Sequence, residues 1–282
     1  MTGSPLITAE ALQARLGAPD LRVVDASWFL PAEGRSGRAE FEAERLPGAV
    51  FFDIDAISDP ATDLPHMLPT PEAFASAAGA LDLPREAEIV VYDSFGVRSA
   101  ARAWWTLRTM GYLRVRVLDG GLRAWRASGL PLETGLHRVP PAVGVSPQTQ
   151  PERVRSQSEV ASALETGSAQ VVDARSAPRF RGEAPEPRPG LRSGHMPGAL
   201  NLPFDRLLTA EGRMKSPEEI AAAFEAAGVD PTRPVIATCG SGVTASVLAL
   251  ALEILGAPAA VYDGSWAEWG GTSGGDVVTG DA

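Results

Sequence analysis

The chain has 282 residues, 44% of them hydrophobic, which is enough for one large core or two ordinary domains. Its formal net charge of −10 argues against nucleic acid as a main partner, because phosphate binding needs a basic face. A single cysteine excludes an intramolecular disulfide and a multi-cysteine metal site, and no apolar run approaches the ~20 residues of a membrane span.

The first 17 residues lack a basic region followed by an apolar run, so no secretory signal is visible and a reducing cytoplasm is the expected location. Leu21 to Asp25 then reads as a short buried strand. Leu46-Pro47-Gly48 holds a Pro-Gly turn. Ile89 to Asp93 is a second strand. Leu132 to Pro151 is rich in Pro and Gly and without periodicity, as a linker would be.

The same order of features then recurs. Leu21-Arg22-Val23-Val24-Asp25 returns as Ala169-Gln170-Val171-Val172-Asp173, and Leu46-Pro47-Gly48 returns as Met196-Pro197-Gly198. Thr70-Pro71-Glu72 returns as Ser216-Pro217-Glu218, and Tyr92-Asp93 as Thr238-Cys239. Asp119-Gly120-Gly121-Leu122 returns as Asp263-Gly264-Ser265-Trp266. The offset stays near 146 residues, so a whole domain is written twice. Ser216 should cap a helix with Pro217 at its first position and Glu219 closing a capping box. A second helix should run from Thr244 to Leu255 and stop at Gly256. The alternation of strand and helix predicts an α/β fold: two tandem domains, each a central parallel sheet flanked by helices. The expected boundaries are 1–135 for the first domain, 136–151 for the linker, 152–275 for the second domain and 276–282 for a tail, and the Gly-rich stretch from about Gly270 to Ala282 is expected to fray.

Cys239 ends a strand and is followed by Gly240, Ser241, Gly242, Val243 and Thr244, which lead straight into a helix. Ligands bind at the carboxyl ends of strands in such sheets. Two glycines let the backbone curl around the sulfur, and successive N–H groups at a helix start favour an anion. That environment suits a thiolate nucleophile rather than an inert buried thiol. Three scattered histidines (His66, His137, His195) suggest no metal cluster, and neither metal nor organic cofactor is expected.

The run Cys239-Gly240-Ser241-Gly242-Val243-Thr244-Ala245 resembles the active-site signature of the 3-mercaptopyruvate sulfurtransferases, within the tandem rhodanese family. The resemblance extends to His195-Met196-Pro197-Gly198-Ala199 and to Asp263-Gly264-Ser265-Trp266 through Trp269, and so spans nearly the whole chain. It implies two rhodanese-like domains and sulfur carried as a persulfide on Cys239. It also implies a catalytically silent first domain, and Asp93 at the place of Cys239 fits, since a carboxylate cannot carry sulfane sulfur. Arg179 and Arg188 match the arginines that grip the carboxylate and carbonyl of the donor, a task suited to bidentate guanidinium. Arg181 reads as their solvent-facing neighbour. Asp55 and His66 match an aspartate and a histidine that meet the loop serine, here Ser241, in a relay across the two domains. The expected partners are the small-molecule donor and a thiol, cyanide or thioredoxin-like acceptor, for a protein expected to be a monomer. His195 is expected to be structural, and Trp266 and Trp269 to be core or pocket walls.

Three other readings carry different signatures. A thiosulfate sulfurtransferase would carry basic residues in the cysteine loop, where this chain has Gly240 and Ser241. A cysteine phosphatase would need arginine where Ala245 stands. A non-catalytic binding module of the same fold would have no need of Cys239 and the arginines.

Overall fold

The computed structural model describes residues 3–135, 137, 139–141, 145–257 and 259–282. Of the expected linker, positions 136, 138 and 142–144 therefore lie outside the described residues. The chain forms two compact units. The first holds Met1–Pro60, Leu68–Gln150 and Ala210–Met214; the second holds Ala61–Met67, Pro151–Thr209 and Lys215–Ala282. Each unit thus includes a short segment from the other half of the sequence, which division by sequence position does not anticipate.

The first unit runs β1 (Leu6–Ile7), α1 (Ala9–Gln13), β2 (Leu21–Asp25), α2 (Gly37–Ala43), β3 (Val50–Phe51), α3 (Pro71–Ala80), β4 (Glu88–Tyr92), α4 (Ser99–Thr109), β5 (Val115–Leu118) and α5 (Gly121–Ala127). Its sheet has the order β1-β5-β4-β2-β3, parallel throughout. The second unit repeats the plan with β6 (Val154–Arg155), α6 (Gln157–Thr166), β7 (Gln170–Asp173), α7 (Ala177–Phe180), β8 (Leu200–Asn201), α8 (Pro217–Ala226), β9 (Val235–Thr238), α9 (Ala245–Ile254), β10 (Ala259–Tyr262) and α10 (Ser265–Trp269). Its order, β6-β10-β9-β7-β8, is again all parallel. The central strands β4 and β9 are buried along their whole length, as continuous apolar runs between two helical layers should be.

Local chemistry sets the helix ends. The Ser216 hydroxyl accepts from the Glu219 N–H at 3.2 Å while the Glu219 carboxylate accepts from the Ser216 N–H at 3.0 Å, the reciprocal box read from the sequence. α9 starts one residue after Thr244 and ends one before Leu255, with Gly256 at φ +73° beyond it. Ala245 to Leu252 is buried without interruption, so α9 is an inner helix with no solvent face along that stretch, and its alanines admit close packing.

The tail corrects an expectation. The Gly-rich stretch from about Gly270 to Ala282 is expected to fray, yet Val278 and His195 exchange backbone hydrogen bonds of 2.8 and 3.0 Å, and the Gly280 N–H reaches the Arg181 carbonyl at 3.0 Å. The Trp269 indole N–H also donates to the Asp276 carbonyl at 2.8 Å. Gly194 makes the close approach possible: at φ +125°, any Cβ there would lie 2.3 Å from the Val278 carbonyl oxygen.

Candidate active site

The register of β7 against β9 pairs Asp173 with Thr238, so both strands end at one level and Cys239 emerges at the carboxyl edge of the sheet. Cys239 is a free thiol, 1% exposed. Its loop is held from the start of α10. The Trp266 and Ala267 N–H groups donate to the carbonyls of Cys239 and Gly240, each at 2.9 Å. The Ser265 hydroxyl accepts from the N–H of Cys239 at 3.3 Å and of Gly242 at 3.0 Å. On the far side the Ser246 hydroxyl donates to the Gly242 carbonyl at 2.9 Å. Gly242 sits at φ +76°, where side chains are disfavoured. Val243 is buried, and Thr244 is the residue before α9.

Two guanidinium groups overlie this loop. A Cβ built on Gly240 would lie 3.1 Å from Arg179 Nη2 and 4.0 Å from Arg188 Nη1. Glycine at 240 therefore leaves the space in which the arginines approach the residue beside the thiol. Arg179 is aimed by Glu186, whose carboxylate accepts from its Nη2 at 2.5 Å and its Nε at 3.2 Å. Glu186 also accepts from Arg175 Nη1 at 2.8 Å, and Arg175 pairs with Asp173 at 2.7 Å. The Arg175 guanidinium lies 4.1 Å above the Trp266 ring. This chain of opposite charges is buried except at Arg179, whose side chain is 24% exposed, so the network ends in a cation facing outward.

His66 belongs to the second unit through the segment Ala61–Met67. It is buried, at φ +64°, with Nδ1 3.0 Å from Ser241 Oγ and 3.4 Å from the Ser241 carbonyl oxygen. A carbonyl only accepts, so a proton on Nδ1 satisfies both contacts. Asp55 belongs to the first unit, where its carboxylate accepts the Trp28 indole N–H at 3.0 and 3.1 Å. Arg181 pairs with Glu183 at 2.8 Å on the surface. His195 donates through Nδ1 to the Phe180 carbonyl at 2.9 Å and stacks on the Phe180 ring, a packing role. Trp266 and Trp269 lie in the apolar core of the second unit.

The structure thus gathers Cys239, Gly240, Ser241, Gly242, Val243, Thr244, Arg179, Arg188 and His66 in one unit. Sequence reasoning passed over Ser265, Glu186 and Arg175. Glu186 stands between the two arginines in sequence and carries the opposite charge. Arg175 differs from its repeat counterpart Ser27, and Ser265 from Gly121, so the signal lay in the mismatches between the copies. In the first unit, where Ser27 stands at the place of Arg175, burial pushes the Asp25 carboxyl up to about 6 against the lowering effect of its hydrogen bonds from Ser27.

The Rhodanese-like domain family matches residues 8–128 and again 156–272. The 3-mercaptopyruvate sulfurtransferase of Homo sapiens is 46% identical over 264 residues, 93% of this chain and 89% of that protein. The thiosulfate sulfurtransferase of Bos taurus is 42% identical over 265 residues, again 93% and 89%. The crystal structure of the 3-mercaptopyruvate sulfotransferase SseA from Escherichia coli, 41% identical, superposes with a TM-score of 0.86 over 94% of this chain and 100% of that one. With two matched segments, two parallel sheets of one strand order and a cysteine loop in the second, this chain belongs to the rhodanese family as a tandem of two rhodanese-like domains.

Proposed function

We propose that the protein is a 3-mercaptopyruvate sulfurtransferase that carries sulfur on Cys239. The observation that carries this reading is the pair of guanidiniums over Gly240, next in sequence to the chain's single thiol. A 2-oxo acid offers a carboxylate and a carbonyl, both acceptors, and two arginines supply matching donors. The Cys239 thiolate attacks the substrate's thiol sulfur. A sulfur–sulfur bond forms, the carbon–sulfur bond breaks, and its electron pair leaves as the enolate of pyruvate. The enolate takes up a proton, and the enzyme retains a persulfide. An acceptor thiolate, a dithiol of thioredoxin type or cyanide then attacks the outer sulfur and restores Cys239. Successive N–H groups of the loop leading into α9 favour the anionic forms. The first domain contributes no sulfur carrier, because Asp93 stands where the thiol would be. The protein is expected to work as a monomer in the cytoplasm, without a metal or organic cofactor.

The deciding experiment compares pyruvate release from mercaptopyruvate with sulfite release from thiosulfate. A higher kcat/KM for mercaptopyruvate is expected. A clear preference for thiosulfate would overturn the donor assignment while leaving the persulfide chemistry in place.

His66 Nδ1, 3.0 Å from Ser241 Oγ, is placed to move a proton there, and a hydroxyl so placed can pass a proton to the departing enolate. His66→Ala is expected to lower kcat with mercaptopyruvate by ~10²- to 10⁴-fold, the range for general acid–base groups. Unchanged turnover would reduce His66 to a loop brace. Asp55 enters this reading through the family resemblance alone. Asp55→Asn is expected to lower turnover as well, and wild-type rates would remove it from the mechanism.

A further inference from the structure

The two copies of the cysteine loop tie down the same backbone with different groups. In the first copy the Asp93 carboxylate accepts from the N–H groups of Phe95 at 2.8 Å, Gly96 at 2.7 Å, Arg98 at 2.8 Å and Ala100 at 2.8 Å. Asp93 corresponds to Cys239 and Gly96 to Gly242, each 146 residues on. In the second copy the residue at this position is a thiol, a poor acceptor. There the Gly242 N–H goes instead to Ser265 Oγ, which also takes the Cys239 N–H and donates its own proton to the Tyr262 carbonyl at 2.8 Å. One hydroxyl has one donor and two acceptor positions, and all three are used.

The exchange extends to the turn that faces the loop. Ser265 is fully buried and sits at φ +49°, a conformation that non-glycine residues rarely adopt. Its counterpart Gly121 sits at φ +54°, where a Cβ would lie 2.3 Å from the Asp93 carbonyl oxygen and 2.8 Å from that of Gly96. The backbone anchor is otherwise the same: Leu122 N–H to the Asp93 carbonyl at 2.9 Å, and Trp266 N–H to the Cys239 carbonyl at 2.9 Å. Aspartate with glycine, and cysteine with serine, are therefore two matched solutions. The first fills the loop with a negative charge. The second holds it with a neutral group placed behind the backbone, which leaves the front of the loop to sulfur and adds no charge to repel a thiolate or an anionic donor.

We propose that Ser265 is the positioning residue for Cys239, its hydroxyl supplying the backbone acceptor that Asp93 supplies in the first copy and so holding the thiol loop in its reactive form. This rests on the reading of Cys239 as the nucleophile. The test therefore uses iodoacetamide, which reads the thiol without any sulfur donor. With one cysteine in the chain, mass spectrometry assigns every adduct to position 239. Alkylation is followed against pH in wild type, Ser265→Gly and Ser265→Ala, with thermal midpoints in parallel. At neutral pH both variants are expected to alkylate ~3- to 10-fold more slowly, with the pH midpoint of the profile moved upward, because a loop no longer held by Ser265 turns its remaining N–H groups less well toward the sulfur. Gly121→Ser is expected to lower the thermal midpoint and leave Cys239 alkylation unchanged. An unmoved alkylation profile in a folded Ser265 variant would overturn the proposal, because a purely structural role changes stability alone. A Gly121→Ser protein as stable as wild type would overturn the pairing of the two solutions. Failure of wild type to use mercaptopyruvate would strike the donor assignment and leave this inference standing.

Discussion

Cys239→Ser is expected to abolish sulfur transfer with every donor while the fold persists. The site is 1% exposed, and serine is smaller than cysteine by part of one atom's volume, so no overpacking arises. The backbone bonds that hold the loop come from Ser265, Trp266 and Ala267 and do not involve the thiol. Chemistry, in contrast, has no second route, because the chain contains no other sulfhydryl. After incubation with donor, intact-mass measurement should show one added sulfur atom on wild type and none on the variant. A sulfur adduct on Cys239→Ser would sink the assignment.

The second large effect is expected at the arginines. Arg179→Ala and Arg188→Ala should each lower kcat/KM for mercaptopyruvate by about ten- to more than a hundredfold, the equivalent of ~1.5–3 kcal/mol for a charge-assisted contact. Thiosulfate turnover should fall less. Arg179→Ala should not unfold the network behind it, because Glu186 keeps its 2.8 Å pairing with Arg175 and does not become an unpaired buried charge. Equal losses with both donors would show that the arginines support the loop and do not recognise the 2-oxo acid.

Much of this was legible before the structure, for physical reasons. Parallel strands buried on both faces announce themselves as unbroken apolar runs, as at Ile89 to Tyr92 and Val235 to Ala237, and the second occurrence doubles the signal. Caps are local, so Ser216, Pro217 and Glu219 suffice to place the start of α8. The ionic chain from Asp173 through Arg175 and Glu186 to Arg179 was not legible, since its members are brought together by the fold and not by helical or strand spacing. The tail escaped for the opposite reason. Its order comes from a backbone pairing with His195, and backbone pairing leaves little trace in side-chain pattern. Ser265 was in plain view inside a quoted motif, but only the comparison with Gly121 gives it meaning.

The assignment of Ala61–Met67 to the second compact unit bears on how such chains can recombine. A crossover in the linker, in a genome or at the bench, would join one parent's residues before Gln150 to another parent's residues after it. The hybrid would then inherit its histidine from the first parent and its thiol loop from the second, although His66 and Ser241 lie 3.0 Å apart within one folded body. Compatible parents must therefore match across the breakpoint at those two positions, and a swap that respects the folded bodies has to carry the seven residues of Ala61–Met67 along with the second half and leave Ala210–Met214 with the first. Heredity of the His66–Ser241 contact is split between the two halves of the gene, so neither half can drift freely without the other.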